Sequence, residues 1–100
     1  MGVKYGREYK DIIYDLQNAL TKIVGIHSFF DMTDEEWNIL SKKQRMNCLQ
    51  TLADDIFFGL GEESIISIHN TKIIYYSDQH IIVVQNPNEI NYVISLIDSK

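Results

Sequence analysis

The chain has 100 residues, a formal net charge of −5, 45% hydrophobic residues and 23% charged residues. Such a balance excludes a disordered chain, and the length fits one small domain spanning residues 1–100. The acidic excess argues against direct nucleic-acid binding, because tracking phosphates needs a basic stripe, and the densest basic run here is only KKQR at 42–45.

Residues 1–6 show no pattern. From Tyr9 an apolar stripe appears through Ile12, Ile13, Leu16, Leu20 and Ile23, while Arg7, Glu8, Asp11, Asp15, Asn18 and Lys22 take the wet side. That spacing keeps one helical face apolar and predicts a first helix over residues 7–24, with Gly25 as a stop. In the following IHSFFDM, residues Ile26, Phe29, Phe30 and Met32 are too apolar for a free loop and are expected to tuck onto the core.

TDEEW marks a second start. Thr33 and Glu36 have the spacing of a capping box, and Asp34 and Glu35 suit the positive end of a helix dipole. The short second helix carries Trp37, Ile39 and Leu40. Ser41 and Gln44 repeat the capping-box spacing, so a third helix begins near Lys42. Its apolar positions are Cys48, Leu49, Leu52, Ala53, Ile56 and Leu60, and the GLG at 59–61 ends it.

Three β-rich blocks follow, at about 64–69, 72–77 and 80–85. The short connections NT and DQ predict hairpins and an antiparallel meander. Then Asn86 reads as a cap and Pro87 as a first helical residue. A fourth helix is expected to run to about Asp98 with Ile90, Val93, Ile94 and Ile97 on one face. The predicted fold is therefore α+β: three N-terminal helices, a three-stranded antiparallel meander and a C-terminal helix.

The strands are apolar on both faces. A sheet with one wet face should alternate apolar and polar residues, and these blocks do not. With two-residue turns, Ile68 pairs with Ile73, Ile66 with Tyr75, Tyr75 with Ile82, and Ile73 with Val84. Residues Ile66, Ile68, Ile73, Tyr75, Ile82 and Val84 then share the face that meets the helices. The opposite face centres on Ile65, Ile74, Tyr76, Ile81 and Val83, a patch of the size that marks an interaction site. The first or fourth helix would be the simplest cover. A second copy or a different protein partner are the other two.

Catalytic signals are weak. Single Cys48 excludes an internal disulfide and a cysteine cage for metal, and its place beside the core stripe reads as packing. His27, His69 and His80 lack metal-ligand spacing, and His69 and His80 fall on opposite sheet faces. Asp54–Asp55 and Glu62–Glu63 are adjacent pairs. Adjacent helical side chains diverge by about 100°, so the Asp pair cannot aim at one substrate. Phosphate loops, GxSxG elbows and HExxH motifs are missing. No catalytic, metal or cofactor site is expected.

No apolar run approaches the roughly 18 residues of a membrane helix, and MGVKYGREYKD lacks the apolar stretch of a signal peptide. The expectation is a cytoplasmic interaction or regulatory protein, without catalysis, that binds a protein partner or itself through the outer sheet face. Its bias toward Ile, Asn and Lys fits an AT-rich bacterial or phage genome. Two readings from other classes stand beside it: an acidic inhibitor that occupies the basic groove of a nucleic-acid enzyme, and a small enzyme with an acidic or Cys/His site.

Overall fold

The computed structural model describes residues 6–23, 25–87 and 91–97. Three α-helices precede a four-stranded antiparallel sheet with strand order β1-β2-β3-β4. The helices are α1 (Tyr9–Leu20), α2 (Asp34–Ile39) and α3 (Lys42–Leu60). The strands are β1 (Ile65–Ile68), β2 (Thr71–Tyr76), β3 (Ile81–Gln85) and β4 (Tyr92–Ser95).

The predicted stripe of α1 is buried at Ile12, Ile13, Leu16 and Leu20, with Leu16 and Leu20 fully enclosed. Tyr9 stays 43% exposed. The helix ends at Leu20, earlier than its stripe suggests, and Ile23 is buried in the turn that follows. Gly25 adopts a left-handed φ of 78°, a conformation glycine enters without steric cost.

Residues 26–30 form a 3-10 helix. Ile26 is buried and Phe30 and Met32 are half-buried, as their composition demands, but Phe29 is 50% exposed. Both capping boxes are present. The Glu36 N–H donates to Thr33 Oγ1 at 3.1 Å, and the Thr33 N–H donates to Glu36 Oε1 at 2.9 Å. Ser41 and Gln44 make the same reciprocal pair at 3.1 and 2.8 Å. These bonds satisfy amide groups that a helix start leaves without partners inside the helix. Arg45 Nε and Nη2 donate to the carbonyls of Trp37 and Asn38, fastening α2 to α3.

Helix α3 buries Leu49, Leu52, Ala53, Ile56 and Leu60 against α1 and the sheet. The buried Gln17 of α1 donates from Nε2 to the Met46 carbonyl at 2.7 Å, so the two helices share a satisfied polar contact within an apolar seam. Together they cover one sheet face, with α3 toward β1 and α1 toward β4. That inner face contributes Ile68, Ile73, Ile82, Val84 and Ile94 to the core.

The C-terminal segment corrects the expected helix. Tyr92–Ser95 is β4, paired with β3 through Ile82↔Ile94 and Val83↔Val93, so the sheet has four strands and not three. The segment YVISLI is rich in β-branched residues, and a short apolar run reads at either period. In the fold, Ile94 faces inward and Val93 outward, which a shared helical stripe would not allow. The unpaired edge of β3 decides between the two periods by offering a hydrogen-bond ladder. Asn86 directly follows β3. It is buried, its Oδ1 accepts from Thr71 Oγ1 at 2.9 Å, and its N–H donates to Asn91 Oδ1 at 3.0 Å. Residues 88–90 of the expected helix start lie outside the described residues. The Arg7 N–H donates to the Leu96 carbonyl at 3.0 Å, and Gly6 bridges to Ile97 beyond the end of β4.

The strand register is half as expected. Tyr75↔Ile82 and Ile73↔Val84 pair as predicted. Between β1 and β2 the pairs are Ile66↔Ile73 and Ile68↔Thr71, a shift of two residues. The loop is His69–Asn70, not Asn70–Thr71, because His69 takes the positive φ of 54° that a tight hairpin needs. A shift of two leaves every side chain on its predicted face. No described helix is long and apolar enough to cross a membrane.

Candidate functional site

The outer face is built by period-two alternation. In the observed register Ile65, Ile74 and Val83 stand side by side across β1, β2 and β3, and Val93 extends the row onto β4. A second row holds Tyr76, Ile81 and Ser95. On the opposite side of the apolar row lie Ser67, Lys72 and Gln85. All five residues expected from the sequence are therefore brought onto one face.

None of these ten outward residues is buried. Ile65 is 52% exposed, Val93 63% and Tyr76 37%, while Ile74, Ile81 and Val83 are half-buried by their neighbours in the sheet. Neither helix expected as a cover is seen there: α1 packs on the inner side, and Tyr92–Ser95 of the expected fourth helix is itself a strand. Val93 is the residue that the sequence pattern hides, because its spacing with Ile90, Ile94 and Ile97 also fits a helical stripe. The alternation of Tyr92, Ile94 and Leu96 with Val93, Ser95 and Ile97 carries the strand signal.

Lys72 is the one charged residue among the ten, although the chain as a whole is acidic. Carboxylates stand beyond the other end of the strands. Asp78 lies in the β2–β3 loop, and Glu63 precedes Ser64, whose carbonyl accepts from the Tyr75 N–H at 2.8 Å. The face thus has an apolar centre and one cationic end, with carboxylates only in the connections beyond the strands.

The residues considered for catalysis are dispersed. His69 and His80 sit in loops at opposite ends of β2, both with positive φ, and His27 Nε2 pairs with Asp34 across the 3-10 helix and α2. Cys48 is half-buried on α3. No group of three or more His, Cys, Asp or Glu that could hold a metal ion occurs among the described residues. Asp54 accepts a hydrogen bond from Tyr9 Oη at 2.6 Å. Burial, then the hydrogen bond and negative charge of Asp54, push the Tyr9 hydroxyl up to about 12. Tyr9 also packs edge-on against Phe57, with ring centroids 5.2 Å apart.

Concave sites on the helical side are modest. A cavity of about 240 Å³ between α1 and β4 includes Asp15 and Lys22 in its lining, but Asp15 is engaged by Arg7 at 2.8 Å. Another of about 170 Å³, lined by Phe57, Leu60, Gly61, Tyr75, Ile82 and Leu96, has no ionised side chain. A third of about 220 Å³ holds Lys42 and Arg45 beside Trp37, with the Arg45 guanidinium 5.9 Å from the indole. Comparison of the chain with protein-family models, curated proteins and solved structures returned no match.

Proposed function

We propose that this chain is a small interaction or regulatory protein that works without catalysis by binding protein through the outer face of its sheet. The observation that carries the reading is the row Ile65–Ile74–Val83–Val93, which crosses all four strands with no buried member. Apolar area removed from water contributes roughly 25 cal/mol per Å², so a contiguous row favours a cover far more than scattered residues do. Tyr76 and Ile81 beside the row, with Lys72, Gln85 and Ser67 at its margin, reproduce an apolar centre with a polar rim. The setting in this proposal is the cytoplasm, where a free thiol such as Cys48 stays reduced.

The test is Tyr76→Glu, followed by circular dichroism and sedimentation. A charge on this face leaves the fold intact if the face is an interface, and it abolishes association with whatever covers it. Unfolding of Tyr76→Glu would return the patch to the core and overturn the proposal.

A further inference from the structure

We infer that the end of α3 binds an arginine side chain of a protein partner, with the guanidinium bonded to the Asp54 carboxylate and stacked on the Phe58 ring. The site belongs to the helical side of the molecule and stands independently of the outer sheet face.

Helical spacing builds it. Phe57 and Phe58 lie three and four residues beyond Asp54, so the three share one face of α3. Tyr9, at the start of α1, meets that face by donating its hydroxyl to Asp54 Oδ1 at 2.6 Å. The Tyr9 and Phe58 ring centroids are 6.3 Å apart, and Phe57 stands nearly at right angles to both rings, at 82° and 80°. Packing of α1 on α3 accounts for Phe57, which is half-buried, but it leaves Phe58 69% exposed.

Charge names the ligand. The Asp54 carboxylate pairs with no Lys, Arg or His among the described residues, and its Oδ2 meets no donor there. Two cations close to Tyr9 in the chain are engaged elsewhere, Arg7 with Asp15 at 2.8 Å and Lys10 with Glu8 at 3.8 Å. The last turn of α3, which includes Phe58, carries no basic residue, although the carbonyl end of a helix attracts cations. A carboxylate, an open ring face and a helix C-terminus thus favour positive charge in one place.

Shape narrows the cation to a guanidinium. A lysine ammonium is a compact, strongly hydrated charge, and leaving water for a ring face costs it more. A quaternary ammonium has no N–H for Oδ2. The guanidinium is weakly hydrated and donates in its own plane while its flat face stacks on an aromatic ring. Asp54 and Phe58, one helical turn apart, offer the acceptor and the ring side by side. Both contacts are open to solvent, so a single side chain binds weakly, at roughly ten millimolar.

A nuclear magnetic resonance titration of the full chain with N-acetyl-arginine amide tests this. N-acetyl-lysine amide at the same concentration is the equal-charge control, and circular dichroism is recorded on every variant. The expected result is saturable shifts at Tyr9, Asp54 and Phe58 with the arginine probe, and roughly five-fold weaker binding of the lysine probe. Asp54→Asn keeps an acceptor for Tyr9, and Phe58→Leu keeps apolar bulk without the ring. Each should weaken binding of the arginine probe roughly five-fold. Asp55→Asn should leave it unchanged, since adjacent helical side chains diverge by about 100°. Equal binding of the two probes, or an equal loss in Asp55→Asn, would mean diffuse attraction to an acidic surface and would overturn the site. Unchanged binding by Phe58→Leu would overturn the stacked guanidinium. No shift with the arginine probe at about 100 mM, ten times the expected dissociation constant, would overturn the inference altogether.

Discussion

Thr71 at the start of β2 donates its hydroxyl to the side-chain oxygen of Asn86, just past β3, at 2.9 Å, and both residues are buried. The bond joins two neighbouring strands where the chain leaves the sheet for the β3–β4 connection. Removing one partner of a buried pair costs more than the bond gave, because the other group is left without solvent. Asn86→Ala should destabilise by about 1–3 kcal/mol. Thr71→Ala should cost less in an Asn86→Ala background than in the wild type. Denaturation midpoints of the two single variants and the double variant measure that coupling.

The capping boxes make a second prediction. Thr33→Ala and Ser41→Ala each remove a side-chain acceptor for a helix N–H. Each should cost about 1 kcal/mol. Because α3 is a core helix and α2 buries no residue, the Ser41 variant should lower global stability, whereas part of the Thr33 loss should appear as local fraying. Denaturation together with amide hydrogen exchange separates the two.

Tyr9 gives a pH prediction with a definite sign. Its hydroxyl is raised from 10.0 to about 12, so the folded state holds the proton more tightly than the unfolded chain. That contribution is fully present below about pH 10 and is lost as pH rises through 10 toward 12. Tyr9 is substantially exposed, so solvent screening keeps the contribution small. In an ultraviolet titration the Tyr9 hydroxyl should ionise above the ordinary value of 10.0. Asp54→Asn, which removes the neighbouring charge, should move that transition downward.

Cys48 is half-buried on α3. A thiol reagent should label it more slowly in the folded protein than after denaturation, since access to the sulfur is restricted. Equal rates in the two states would mean that the thiol is open to solvent.

Sequence and fold agree where the determinants are local. Thr33 with Glu36, and Ser41 with Gln44, act across three residues, so their bonds form once the first turn does. The α3 stripe from Leu49 to Leu60 follows from a period that repeats over about three turns of helix. The faces of β1, β2 and β3 are legible because the side-chain period is two, and the observed shift between β1 and β2 is also two. Hence Ile65, Ile74, Tyr76, Ile81 and Val83 could be placed together from sequence alone.

The tertiary structure decided what local pattern leaves degenerate. Val93 and Ile94 fit one helical stripe or two faces of a strand, and only the open edge of β3 selects the strand. Asn86 has the chemistry of a cap, and only the fold brings the buried Thr71 hydroxyl to its side-chain oxygen. Which face of the sheet receives the helices is likewise absent from the strands, since both faces are apolar. It is decided by α1 and α3, whose buried stripes join in one seam and can cover a single side, leaving the row from Ile65 to Val93 on the other.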